Sequence, residues 1–357
     1  MDNAYRLLAK QLDALPNGFP EVEDGAELRL LAKLFAPTEA ELVSQLRLTL
    51  ETAASIAERT GKNPLEVSRS LKGLARRGLI TCKKTDQGLG FGLMPFVVGF
   101  YENQMESMDV ELAQLFEDYY RKAAVKLLSI HPQVHRIVPV NETIRNDMEI
   151  RPYESAASIL DRAKSWGVAD CICRKQKAMI GEACPHPVDV CMVLSPTPAV
   201  FENSTTVRSL TREEAQETLL RAAKAGLVHS VNNSQEDVWY ICNCCTCSCG
   251  ILRGMKEMGL ANVVARSAFV NFVNEELCTG CESCVSACQF NALSYNVIAK
   301  VDAARCVGCG VCVVTCPEEA LRLIRRSAVE IKVPPVDEEA WRIERAKERG
   351  KDLTAVR

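Results

Sequence analysis

Seventeen of the eighteen cysteines in this 357-residue sequence lie between Cys171 and Cys316, at spacings that suit metal ligands. Cys278, Cys281, Cys284 and Cys288 form a C-x2-C-x2-C-x3-C run, and Cys306, Cys309, Cys312 and Cys316 repeat it 28 residues later. Such a run bends three thiolates around one iron-sulfur cube and sends its fourth to a neighbouring cube. The expected ligand sets are therefore Cys278, Cys281, Cys284 and Cys316 for one [4Fe-4S] cluster, and Cys306, Cys309, Cys312 and Cys288 for the other. The companions repeat as well, Gly280 with Gly308 and Ala292-Leu293 with Ala320-Leu321. Four thiolates can also hold zinc, but zinc sites pair two short cysteine knuckles and do not repeat four-cysteine loops.

Nine more cysteines precede this repeat: Cys171, Cys173, Cys184 and Cys191, then Cys242, Cys244, Cys245, Cys247 and Cys249. They are candidate ligands of one or two further clusters, with zinc sites and working thiols as the alternatives. In an extended chain alternate residues point to opposite faces, so Cys245, Cys247 and Cys249 would share one side and Cys242 and Cys244 the other. One short loop could then serve two metal centres. Arg174, beside Cys173, could donate hydrogen bonds to cluster sulfur or be a salt-bridged surface residue. His186, between Cys184 and Cys191, could be a ligand, a proton donor or a local hydrogen-bonding residue. Cys82 stands apart and reads as a small buried apolar side chain.

The elements that must hold these residues read as an α+β multidomain chain. Residues 1–100 form a helical, winged-helix-like domain: a helix from Thr52 to Arg59, a turn, a helix opened by Pro64 with Val67, Leu71 and Leu74 inward, and two strands about Gly88-Leu89-Gly90. Residues 101–265 form a helical cysteine-rich middle domain, with a long helix over 101–130 serving as a strut or homo-oligomer contact, another over 152–166 and a third over 211–225. Residues 266–330 form a two-cluster ferredoxin domain, and 331–357 a charged helical tail, docked or solvated. Residues 59–84 carry a net charge of +7, and Arg69, Lys72 and Arg76 fall opposite the apolar face, as DNA or partner docking requires.

Over about residues 270–325 the chain resembles a bacterial two-cluster ferredoxin, which implies a pseudo-symmetric fold enclosing two [4Fe-4S] clusters. It departs from that pattern at Gln289, where a proline is expected after Cys288; Pro317 follows Cys316 as it should. The loss removes a fixed backbone angle and no ligand. Most of the chain is similar to 4Fe-4S binding proteins of anaerobic prokaryotes, in which a winged-helix-like front, a C-x-C-R segment, a C-N-C-C run and a terminal ferredoxin occur in that order. Those proteins often carry a denser cysteine run where this chain has Ser248.

Composition narrows the function. With 47% hydrophobic and 25% charged residues the chain can bury a real core, and a net charge of −3 does not fit a generally polycationic protein. The longest apolar run, near Gly90 to Phe100, is far short of the roughly 20 residues that span a bilayer. The amino terminus lacks a signal-peptide plan, so a cytoplasmic site with reduced thiols is expected. No Walker loop, Rossmann fingerprint or Ser-His-Asp arrangement is found. The expectation is an electron-transfer component of an oxidoreductase system, more than an enzyme by itself, passing single electrons to or from a partner oxidoreductase or soluble carrier. The alternatives are a redox-sensing winged-helix DNA-binding regulator, and an oxidoreductase with a substrate-binding cluster in the middle domain.

Overall fold

The computed structural model describes residues 3–140, 143, 148–260 and 263–357; Met1 and Asp2, part of the amino-terminal run read for a leader, lie outside them. The chain forms two compact units, Met1–His131 with Arg342–Arg357, and Pro132–Trp341. This division differs from the four segments expected. The residues of the long helix and the second half of the tail belong with the front of the chain, and the middle and ferredoxin segments share one unit.

In the first unit α1 (Asn3–Asp13), α2 (Ala26–Leu34) and α3 (Pro37–Val43) lead to β1 (Glu51–Thr52), α4 (Ala53–Thr60), α5 (Pro64–Arg76), β2 (Thr81–Thr85) and β3 (Gly88–Gly92). Strand β3 pairs antiparallel with both others, in the order β1-β3-β2. Thr52 caps α4 by accepting the Ser55 amide, and Gly61, at φ 66°, stops it. Asn63 caps α5 through the Leu65 and Glu66 amides, and Pro64 fills the first turn, where an N–H would have no helical partner. Val67, Leu71 and Leu74 are buried as the spacing requires. Cys82 is exposed in β2, contrary to its reading as a core residue, because the outward face of this hairpin is uncovered.

The helix expected over 101–130 begins only at Val110, as α6 (Val110–Leu128), where Asp109 caps it through the Leu112 amide. The chain before it folds back so that Tyr101 stacks on Phe116 at 4.0 Å. Aromatic burial there outweighs continued helix.

The second unit corrects the helical reading of the middle segment. Its framework is a six-stranded antiparallel sheet in the order β4-β8-β9-β6-β5-β7, built from β4 (His135–Ile137), β5 (Ser165–Ala169), β6 (Cys191–Ser195), β7 (Arg208–Leu210), β8 (Val228–Asn232) and β9 (Tyr240–Cys244). The helix expected over 152–166 is only α7 (Ala156–Arg162), capped by Ser155, and Trp166 lies in β5. Helix α8 (Ile172–Met179) follows Cys171, and α9 (Arg212–Lys224) starts at the expected Thr211–Glu214 capping box. Helices α7 and α9 cover one sheet face, packing Ile159, Leu160, Ala215 and Leu219 against Val168, Met192, Leu194 and Ile241.

After α10 (Arg253–Glu257) the 28-residue repeat becomes visible in the backbone. The segment comprises β10 (Phe269–Val273), α11 (Ser283–Ala287), β11 (Leu293–Asn296), β12 (Ile298–Val301), α12 (Val311–Thr315) and β13 (Leu321–Arg325). Helices α11 and α12 are 28 residues apart, as are the left-handed residues Gly280 and Gly308, Glu282 and Gly310, and Asn291 and Glu319. Strand β10 pairs with β13, and β11 with β12. The chain ends in α13 (Glu338–Glu348) and a short 3-10 turn, Leu353–Val356. From Arg342 onward it is docked in the first unit, where buried Arg345 donates to the Pro16, Leu127 and Ile130 carbonyls.

Candidate metal centres

The repeat brings its eight cysteines together as two fours. Cys284 has Cys316, Cys278 and Cys281 as its charged neighbours, and these four line one pocket with Gly280 and Tyr295. Cys312 has Cys309, Cys288 and Cys306, and then Cys284 of the other four. Cys316 thus lies with the first three cysteines of the earlier run, and Cys288 with those of the later one. Burial pushes the Cys309 thiol up to about 12 and raises Cys284 and Cys312, since it penalises the thiolate. Cys281, exposed and hydrogen-bonded with Ser283, is lowered. The Ala292 amide donates to Cys288 Sγ at 3.3 Å and the Ala299 amide to Cys278 Sγ at 3.5 Å. Gly308 leaves the Cys306 loop no room for a side chain, since a Cβ would meet the Phe269 carbonyl oxygen at 2.1 Å. Two sets of four soft donors, walled by Leu293, Ala299, Ala320 and Leu321, suit iron-sulfur cubes.

The nine remaining candidates separate into six and three. Cys171, Cys173, Cys249, Cys244, Cys242 and Cys191 are neighbours in a ring, each thiol facing the next and Cys191 returning to Cys171. Cys171 lies well below the ordinary thiol range because its neighbours Cys173 and Cys191 favour its thiolate, with Arg174 adding to the effect. Cys244 is lowered in the same way by Cys242 and Cys249, and Ser230 Oγ lies 3.4 Å from its sulfur. Cys173, Cys191 and Cys242 are raised in return.

Cys184, Cys245 and Cys247 make the second group, with all three sulfurs within 4.8 Å of one another. Cys242 and Cys244 point away from the helix-covered face, while Cys245 packs with Val190, Ala222 and Leu227 near the end of α9. Alternation thus serves two groups from one stretch of chain, as expected for Cys242, Cys244, Cys245 and Cys247. It fails for Cys249, which joins the ring instead. Strand β9 ends at Cys244, a turn follows, and the Cys249 amide bonds the Cys245 carbonyl at 3.1 Å, reversing the direction of its side chain.

Arg174 lies close to both groups and is no surface residue. Its Nη2 donates to the Asn243 carbonyl at 2.8 Å and lies 3.5 Å from Cys245 Sγ. Its Nε and Nη1 are buried without an acceptor among the described residues. Burial opposes its charge, but the thiols of Cys171, Cys245, Cys244 and Cys191 more than restore it. His186 is half-buried beside Cys184 and Ala225. Burial, then Arg174, lowers its pKa.

Gln289 was missed as a site residue. Its Oε1 accepts the Thr246 amide at 2.7 Å and its Nε2 donates to the Gly226 carbonyl. The side chain standing where proline was expected thus ties the Cys288 loop to the turn between Cys245 and Cys247. Arg69, Lys72 and Arg76 lie exposed on α5 in the first unit.

Two matches to known families agree with the repeat. Residues 272–294 match a 4Fe-4S binding domain, and residues 298–321 match a second domain of the same description. No curated protein and no solved structure matches the chain. The class so defined is an iron-sulfur protein with [4Fe-4S] clusters in a C-terminal ferredoxin-type region. Among the described residues no helix is long and apolar enough to cross a membrane.

Proposed function

We propose that this chain is a cytoplasmic electron-transfer component that relays single electrons to or from a partner oxidoreductase or soluble carrier. In this reading Cys278, Cys281, Cys284 and Cys316 ligate one [4Fe-4S] cluster, Cys306, Cys309, Cys312 and Cys288 the second, and the ring of six thiols holds a third. When bound, these clusters supply one-electron carriers, at roughly −400 mV for the ferredoxin type. The chain's own residues hold and tune the sites. The Ala292 and Ala299 amides direct positive dipoles at ligand sulfur, Arg174 sets a buried cation against the ring, and Leu293, Ala299, Ala320 and Leu321 exclude water.

The observation that carries the reading is the Gln289 bridge, which fixes the ferredoxin loop to the middle cysteines within one compact unit. An isolated ferredoxin module would need no such tie. Six thiols exceed the four that one cube needs, which weighs against an open iron for substrate in the ring. The N-terminal unit, read as a winged helix, would dock the partner or a second copy of the chain. About 12 iron and 12 sulfide per chain after anaerobic purification, with reversible one-electron reduction, is the expected result. About 8 of each would leave the ring without a cluster.

A second reading, a redox-sensing DNA-binding regulator, is favoured by one observation. Of the eight basic residues over 59–84, Arg59, Lys62 and Arg77 are paired with Glu51, Glu41 and Glu39. Arg69, Lys72, Arg76, Lys83 and Lys84 are exposed without an ion pair among the described residues. Replacing Arg69, Lys72 and Arg76 by alanine separates the readings: under the regulator reading salt-dependent duplex binding collapses, and under the electron-transfer reading cluster reduction is unchanged and no duplex binding exists to lose.

A further inference from the structure

The group of Cys184, Cys245 and Cys247 is spaced for one ion. Cys184 Sγ and Cys245 Sγ are 3.9 Å apart, and Cys247 Sγ lies within 4.8 Å of both. Tetrahedral bonds of about 2.3 Å to a single zinc ion place neighbouring sulfurs about 3.8 Å apart. Ligands of a cube sit on different irons and are held apart by the width of the cube. Among the described residues no other three candidate ligand atoms of His, Cys, Asp or Glu approach this closely, the ferredoxin sets included.

We propose that Cys184, Cys245 and Cys247 bind one thiophilic divalent ion, zinc, through three thiolates and leave its fourth position to water. The proposal rests on the reading above only in assigning iron to the other fourteen clustered cysteines.

Charge supports it. Three thiolates and a dication leave one negative charge, and the Arg174 guanidinium, 4% exposed and 3.5 Å from Cys245 Sγ, cancels it. No histidine nitrogen or carboxylate oxygen joins the three sulfurs. Ser248, 1% exposed, stands beside Cys184, and its Oγ is buried with no hydrogen-bond partner among the described residues. The turn bearing Cys245 and Cys247 is held by the Thr246–Gln289 bond. Structural zinc sites are closed by four protein ligands, whereas three ligands and a water leave an exchangeable position for a small donor.

Elemental analysis and zinc K-edge absorption on the full chain, purified without oxygen from zinc-supplemented cells, test this. One zinc per chain is expected, with three sulfurs at about 2.3 Å and one oxygen or nitrogen neighbour. Cys184→Ser and Cys247→Ser should each lose the zinc and keep iron and sulfide at the wild-type value. Ser248→Cys should give a four-sulfur shell. Loss of about four irons per chain in Cys184→Ser would show that the group ligates a cube and overturn the proposal. A wild-type chain without zinc, or with four sulfurs around it, would overturn it too. Zinc bound as expected in a chain that shows no reversible reduction would instead defeat the electron-transfer reading and leave this one standing.

Discussion

Replacing Gln289 by alanine removes both arms of the tie between the ferredoxin loop and the turn at Thr246. The Thr246 amide, on a residue 7% exposed, loses its acceptor, and a buried donor left unmade costs about 1–3 kcal/mol. The Gly226 carbonyl loses its donor too, but Gly226 is only half-buried and water recovers part of that bond. The total is about 2–4 kcal/mol against the closed turn, or about 30- to 1,000-fold more frequent opening. Hydrogen exchange read by mass spectrometry on anaerobic protein should show that gain in peptides covering 245–249. Peptides from α5 should be unchanged, and so should the iron count, because no thiol is lost. Exchange over 245–249 within about threefold of wild type would refute the reasoning, since an amide that cheaply finds water was never held by Gln289.

Acid should weaken the second unit in a defined window. His229 is fully buried with its pKa lowered by burial from 6.5 to about 4, and His135 is lowered by burial to about 3. The unfolded chain protonates first, so this stability is complete above about pH 6.5 and is lost as pH falls toward 4; His229 alone accounts for about 2 kcal/mol between pH 7 and 5. Urea midpoints across that range should fall less steeply in His229→Gln. In the first unit, Leu71→Ala empties a fully buried position and should cost about 2–5 kcal/mol in urea unfolding. Gly308→Ala should drive the Cys306 loop off the Phe269 carbonyl and lower iron by about four per chain, read by elemental analysis.

The ferredoxin region was legible because its chemistry is local in sequence: the cysteine spacings set the crossing of Cys288 and Cys316, and Gly280 and Gly308 mark the left-handed turns. The helix-turn-helix part was legible through its punctuation, Thr52, Gly61, Asn63 and Pro64. The middle sheet was not. Its strands are three to five residues long, several are buried on both faces, and Val168, Met192 and Ile241 meet only through contacts distant in sequence, which no periodicity reports. The grouping of Cys184 with Cys245 and Cys247 spans some sixty residues and was hidden for the same reason. Alternation predicted the division at Cys244 and Cys245 correctly, and failed at Cys249 where the strand had already turned. At Gln289 the absence of a proline was read as lost rigidity, and the side chain that replaces it supplies a tether.

The docked end of the chain orders events during synthesis. Arg345 holds the Pro16, Leu127 and Ile130 carbonyls, Arg349 holds Asp13, and the Leu48 amide bonds the Val356 carbonyl, so the N-terminal unit is completed by residues 342–357. Those residues leave the ribosome only after the whole cysteine-rich stretch has emerged. The nascent N-terminal unit therefore waits, unfinished, through the interval in which metal can be loaded, and its final closure follows the synthesis of every metal-binding thiol.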